Sequence, residues 1–105
     1  MKEITVRELK DKMDNKEQFQ LIDVREQFEY DVANISGELI PMQSVIEQYD
    51  RIETDKPVII YCRSGNRSAV VVNELEKRFG FTNLYSLKGG IIAWSNEIDP
   101  SIPKY

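Results

Sequence analysis

Histidine is absent from this chain of 105 residues, and cysteine occurs once. Without an imidazole, thiol chemistry that relies on a histidine base is excluded. A single cysteine forms no internal disulfide, and without histidine it leaves a structural zinc site short of ligands. Basic residues are in the minority, 14 Lys and Arg against 18 Asp and Glu, for a net charge of −4. Nucleic acid requires a clustered positive surface, so composition argues against that partner. Any anion site must be a local concentration of donors. Long apolar runs are also missing: nothing approaches the roughly 20 residues of a membrane span. The opening MKEITVRELKDKMD has no apolar block of the secretory-signal kind. The expectation is one cytoplasmic domain over residues 1–105, enough chain to bury a single core, with no metal and no membrane contact.

What the chain does contain is an ordinary globular balance, 41% apolar and 30% charged. Short apolar runs alternate with segments of helical periodicity, the signature of an α/β domain with a mostly parallel sheet. Thr5 and Glu8 read as a capping box, and Val6, Leu9 and Met13 share one face behind it, predicting a helix over 6–14. Residues 19–24 (FQLIDV) read as a strand, and 26–33 as a short helix with Phe28 and Val32 at i, i+4. Residues 37–40, ahead of Pro41, predict a short strand, and Ser44 is placed to cap a helix bearing Val45, Ile46, Tyr49 and Ile52. Residues 57–62 (PVIIYC) are an unbroken apolar run of the kind buried on both faces of a parallel sheet. A helix with Val71, Val72, Leu75 and Phe79 on one face follows, stopped by Gly80. Residues 83–87 predict a last strand and 89–98 a last helix, reached by a tight turn at Gly89 and Gly90. Trp94 falls in the core pattern with Ile91. The tail 99–105, with two prolines, reads as a surface strap.

The lone cysteine stands in Tyr61-Cys62-Arg63-Ser64-Gly65-Asn66-Arg67-Ser68. A free cysteine is usually a buried, inert hydrophobe. Here the apolar run stops at Cys62, and a polar, glycine-containing, doubly basic sequence follows. Ligands bind at the carboxyl ends of strands in open α/β sheets, and the next helix supplies free N–H groups and a partial positive charge. Gly65 permits a positive-φ turn through which successive amides converge as a nest. Ser64, Asn66 and Ser68 add donors without filling space. Arg67, at the unfavourable end of a helix dipole, makes sense beside an anion, and Arg63 points the same way. Such surroundings stabilise a thiolate without a histidine. Asp23 and Arg25, at the end of the neighbouring strand, read as a buried ion pair holding the following loop, the alternative being a place on the site's rim.

The stretch 62–68 resembles the active-site loop of the rhodanese family in its single-domain form. Residues 21–30 (LIDVREQFEY) resemble the family's Asp-Val-Arg segment, 34–42 (NISGELIPM) its His-Ile-x-Gly-Ala segment, and 87–100 (LKGGIIAWSNEIDP) its Gly-Gly-x-x-x-Trp ending. The resemblance spans nearly the whole chain in order. It implies a three-layer α/β fold with a mostly parallel five-stranded sheet flanked by helices. It also implies a sulfurtransferase without metal or organic cofactor. Cys62 would take sulfane sulfur from thiosulfate or another small or protein-bound persulfide donor. As a persulfide it would pass that sulfur to a thiophilic acceptor, cyanide in an assay or a protein thiol. Amides of 63–68 would cradle the persulfide, and Arg63 and Arg67 would help bind an anionic donor. Asn34 and Glu38 depart from the family pattern, which has histidine and a small residue there. Two other readings stand beside this one: a persulfide carrier or partner-binding module with little activity of its own, and a cysteine phosphatase or arsenate reductase of related fold. The latter place arginine six positions after the cysteine. Arg67 comes one residue too early, and Tyr61 replaces the histidine usual before a phosphatase cysteine.

Overall fold

A computed structural model describes all 105 residues as a five-stranded, wholly parallel sheet with helices on both faces. In chain order the elements are β1 (Lys2–Ile4), α1 (Val6–Asp14), β2 (Gln20–Asp23), α2 (Gln27–Val32), β3 (Glu38–Leu39), β4 (Val58–Tyr61), α3 (Asn66–Phe79), β5 (Leu84–Leu87) and α4 (Gly90–Glu97), with one 3₁₀ turn at Tyr49–Arg51. The strand order is β1-β5-β4-β2-β3. The central strand β4 is Val58-Ile59-Ile60-Tyr61, every residue of it fully buried. Burying each such side chain contributes about 1.5–3 kcal/mol.

Alternation along β4 divides the core. Val58, Ile60 and then Cys62 face α3, where Val71, Val72 and Leu75 close over them together with Ile22 and Leu84. Ile59 and Tyr61 face the opposite side, packed with Val6 and Leu9 of α1 and Ile91 and Trp94 of α4. Trp94 is thus a core residue, as its spacing predicts. The Thr5–Glu8 capping box is formed in both directions, at 3.1 and 2.9 Å. Gly80 ends α3 in the left-handed conformation, at φ 71°.

Four expectations need correction. The fifth strand, β1, has no counterpart in the sequence reading. It is three residues long, two of them charged and exposed, and its apolar signal is Ile4 alone. Ser44 does not begin a helix. The chain passes through turns and the single 3₁₀ turn, inserting Val45 and Ile52 into the core as it crosses from the edge strand β3 to the centre. On α2, Phe28 and Val32 face outward and Glu29 is the buried residue. On α3, Phe79 lies partly exposed, stacked on Tyr49 with ring centroids 4.1 Å apart. The tail turns at Asp99–Ile102 and ends with Tyr105 edge-on to Phe28. No helix is long and apolar enough to cross a membrane.

Candidate active site

Cys62 is the first residue beyond β4, and α3 begins four residues later. Its side chain is 1% exposed, so the sulfur lies at the floor of the loop. Gly65 takes φ 105° as the N-cap of α3, a value only glycine adopts freely. The turn brings the Gly65 N–H to 3.1 Å from Sγ and the Ser68 N–H to 3.4 Å. The Ser68 hydroxyl lies 3.7 Å from the same sulfur. The sulfur therefore rests in backbone donors at a helix N-terminus, the environment that favours an anionic species. Arg63, Ser64 and Asn66 are exposed, and their side chains make no hydrogen bond or ion pair. They line the mouth.

The carbonyls of this loop turn the other way. The first N–H groups of α4, left free by the helix geometry, bind them: Ile91 N–H donates to the Cys62 carbonyl at 3.0 Å and Ile92 N–H to the Arg63 carbonyl at 3.1 Å. A Cβ on Gly90 would collide with these same two carbonyl oxygens. The glycine pair before Trp94 thus lets α4 approach the loop from beneath, which fixes the peptides of Cys62 and Arg63.

Arg67 does not point into open solvent. Its guanidinium makes a two-pronged pair with Glu29, at 2.7 and 2.8 Å. Glu29 is nearly buried and also accepts from its own helix's N-cap, Glu26 N–H, at 3.0 Å. The Arg67 hydrogen bond holds the Glu29 carboxyl below the usual carboxylate range, and Glu29 in turn raises Arg67. The anion opposite the misplaced arginine is therefore a side chain of the chain itself. Of the loop's two arginines, Arg63 alone has an uncommitted guanidinium.

Asp23 and Arg25 are both fully buried and bind each other, with Arg25 Nη2 2.8 Å and Nε 3.0 Å from the carboxylate. The same guanidinium donates to the carbonyls of Ala33 and Glu29, at 2.6 and 3.5 Å. Burial opposes charge on Arg25, but the hydrogen bonds and field of Asp23 outweigh it and leave the guanidinium more basic than usual. This is the loop-holding ion pair rather than a rim. It ties the end of β2 to the middle and the C-cap of α2, and Glu29 then reaches from α2 to Arg67.

Two contributors escape the sequence reading. Glu29 sits between outward-facing Phe28 and Val32, whose spacing conceals it. Ser86, in the middle of β5, is 1% exposed, with its hydroxyl 2.7 Å from that of Ser68. A polar residue inside an otherwise apolar strand was the available signal. No three His, Cys, Asp or Glu side chains converge closely enough to hold a metal ion. Cys62 lines none of the surface hollows. The one formed by Tyr49, Phe79 and Phe81, about 450 Å³, lies at the opposite ends of the strands.

Comparison with known proteins agrees with this geometry. Residues 5–97 match the family profile described as Rhodanese-like domain. The chain is 35% identical, over 97% of its length, to the probable adenylyltransferase/sulfurtransferase MoeZ of Mycobacterium tuberculosis, but spans only 26% of that protein. It is 41% identical over 75% of its length to the uncharacterised protein YqhL of Bacillus subtilis, covering 63% of it. Among solved structures it is similar to a rhodanese-related protein of Thermoplasma volcanium, with TM-score 0.84, 28% identity and full coverage of both chains. A rhodanese-like domain protein of Staphylococcus aureus gives TM-score 0.83 at 31% identity, covering 98% of this chain and 97% of that one.

Proposed function

We propose, from the premise that this chain belongs to the rhodanese-like domain family, that it is a sulfurtransferase in which Cys62 carries the sulfur. The observation that supports this best is the pair of N–H groups, Gly65 and Ser68, aimed at Sγ. They stabilise an anionic sulfur and offer no base for abstracting protons. The thiolate attacks the outer sulfur of thiosulfate or of another persulfide donor. The new S–S bond forms as the old one breaks, and sulfite (or the donor thiolate) leaves with the electron pair. Cationic and N–H donors assist that anionic departure. An acceptor nucleophile then attacks the terminal sulfur, and the Cys62 thiolate is the leaving group. Cyanide would become thiocyanate and a protein thiol would become a persulfide. Electrons balance without a cofactor.

One observation favours the carrier form of this reading over a free-standing thiosulfate enzyme. Arg67 is committed to Glu29, so a small dianion meets one free guanidinium, Arg63, instead of two. The chain's donor would then be held by a protein surface more than by charge. The test is incubation with thiosulfate and, separately, with a persulfide donor, followed by intact mass. One added sulfur atom is expected, lost on cyanide treatment with release of thiocyanate, and absent in Cys62→Ser. Failure of both donors to add sulfur would overturn the proposal. A faster reaction with the persulfide donor supports the carrier form, and equal or faster use of thiosulfate refutes it.

A further inference from the structure

Ser86 occupies a place where the pattern of β5 calls for an apolar residue. It pairs in register with Ile60 of β4 and so faces α3, among Ile60, Leu84, Val71 and Val72. A hydroxyl buried in such a layer is costly unless bonded. Its side chain has one partner, the Ser68 hydroxyl at 2.7 Å, and Ser68 is itself fully buried.

The hydrogens around Ser68 can be counted. Its oxygen carries one hydrogen and has three neighbours able to accept it: the Gly65 carbonyl at 3.1 Å, the Ser86 hydroxyl at 2.7 Å and Cys62 Sγ at 3.7 Å. The Gly65 carbonyl already accepts from Ala69 N–H at 3.1 Å, the first bond of α3, so it is satisfied without Ser68. When the sulfur is a thiol, its own hydrogen can point at Ser68 Oγ. When the sulfur is an anion and Ser68 gives its one hydrogen to it, the 2.7 Å contact between the two hydroxyls is a hydrogen bond only with Ser86 as the donor. Ser86 is the one side chain positioned to donate to the Ser68 oxygen.

We propose that Ser86 is a positioning residue: its O–H donates to Ser68 and thereby turns the Ser68 hydrogen onto the Cys62 sulfur. The relay runs Ser86 O–H to Ser68 O–H to S⁻, with each bond polarising the next. It rests on the reading of Cys62 as the nucleophile. The charged groups on the elements around the sulfur are Arg63 in the loop, Arg67 on α3 with Glu29 on α2, the Asp23–Arg25 pair after β2, and Lys88 after β5. Two of these are closed pairs, and Lys88, just beyond the strand that carries Ser86, is exposed.

The experiment measures the rate of Cys62 alkylation by iodoacetamide against pH, which needs no sulfur transfer. Ser86→Ala should move the profile to higher pH by about half a unit, the size expected from losing one link of a hydrogen-bond chain. Ser68→Ala should move it at least as far, and the double variant Ser68→Ala/Ser86→Ala no further than Ser68→Ala alone. Ser86→Thr and Ser86→Val form a matched pair, alike in shape and suited to a strand. Thr should keep the wild-type profile and Val should shift it, which isolates the hydroxyl even if the alanine variant folds poorly. A Ser86→Ala profile that overlays the wild type, or a shift that persists fully in the Ser68→Ala background, overturns the relay. If the shift is present but neither donor adds sulfur to the wild type, the relay stands and the transferase reading falls.

Discussion

Gly90→Ala tests whether the sulfur's cradle depends on α4. Gly90 sits at φ 57°, and a Cβ there would drive into the carbonyl oxygens of Cys62 and Arg63. Those oxygens accept from Ile91 and Ile92 at 3.0 and 3.1 Å. The left-handed backbone costs about 1–2 kcal/mol for a residue with a Cβ. Overpacking against rigid backbone adds about 1–3 kcal/mol, and loosening two hydrogen bonds about 1 kcal/mol each. A loss of roughly 4–7 kcal/mol follows, lowering the melting temperature by roughly 15–30 °C in a domain of this size. Gly80→Ala is the internal control. Gly80 has a similar φ of 71°, but a Cβ there would meet nothing within 4 Å, so only the conformational cost applies, about 1–2 kcal/mol. Thermal melts followed by far-ultraviolet circular dichroism compare the two. The pH profile of Cys62 alkylation at low temperature then reports whether the surviving fold keeps the thiol's wild-type surroundings. If Gly90→Ala melts no lower than Gly80→Ala, the close approach of α4 to the loop does not bear on stability and the reasoning fails.

Two further outcomes follow from the buried pairs. Glu29→Gln should cost about 1–2 kcal/mol near neutral pH, a charge-assisted two-pronged bond discounted for the partial exposure of Arg67. Because the folded Glu29 carboxyl is held below its ordinary value of 4.5, its contribution is complete above that value and disappears as pH falls through the lower folded one. The melting difference between Glu29→Gln and the wild type should therefore be constant above about pH 5 and close below about pH 4.5, and a difference that widens in acid would refute the assignment. Arg25→Leu strands the Asp23 carboxylate in the core and should cost about 3–5 kcal/mol. The double variant Asp23→Leu/Arg25→Leu should recover part of that in urea unfolding, which a role for Arg25 independent of Asp23 would not allow.

The loop from Cys62 to Ser68 was legible because its signals are local: an apolar run that stops, a glycine, and a helix start within a few residues. The Asp23–Arg25 pair was legible for the same reason, since two positions along one strand end place both groups together. Glu29 was not. It pairs with Arg67 across 38 residues, and its neighbours Phe28 and Val32 carry the spacing of a buried face while standing in solvent. Short-range periodicity ranks Phe28 above Glu29 for the interior, and the two-pronged bond from the Arg67 guanidinium reverses that order. The strand β1 escaped because three residues pairing along a single edge need no pattern of their own. The segment after Ser44 shows the converse: Val45 and Ile52 have helical spacing, but burying those two side chains during a crossover does not require a continuous helix.

The contacts under Cys62 also set an order of events at the ribosome. The Gly65 and Ser68 amides emerge within a few residues of the sulfur, but Ser86, Gly90 and Ile91 come more than 20 positions later. At about 5–20 residues per second, that stretch takes a second to several seconds to synthesise. During that interval the Cys62 carbonyl lacks its Ile91 partner and the Ser68 hydroxyl lacks Ser86. The thiol of a nascent chain is thus a half-built group, and it reaches its finished surroundings only when the last quarter of the chain has docked.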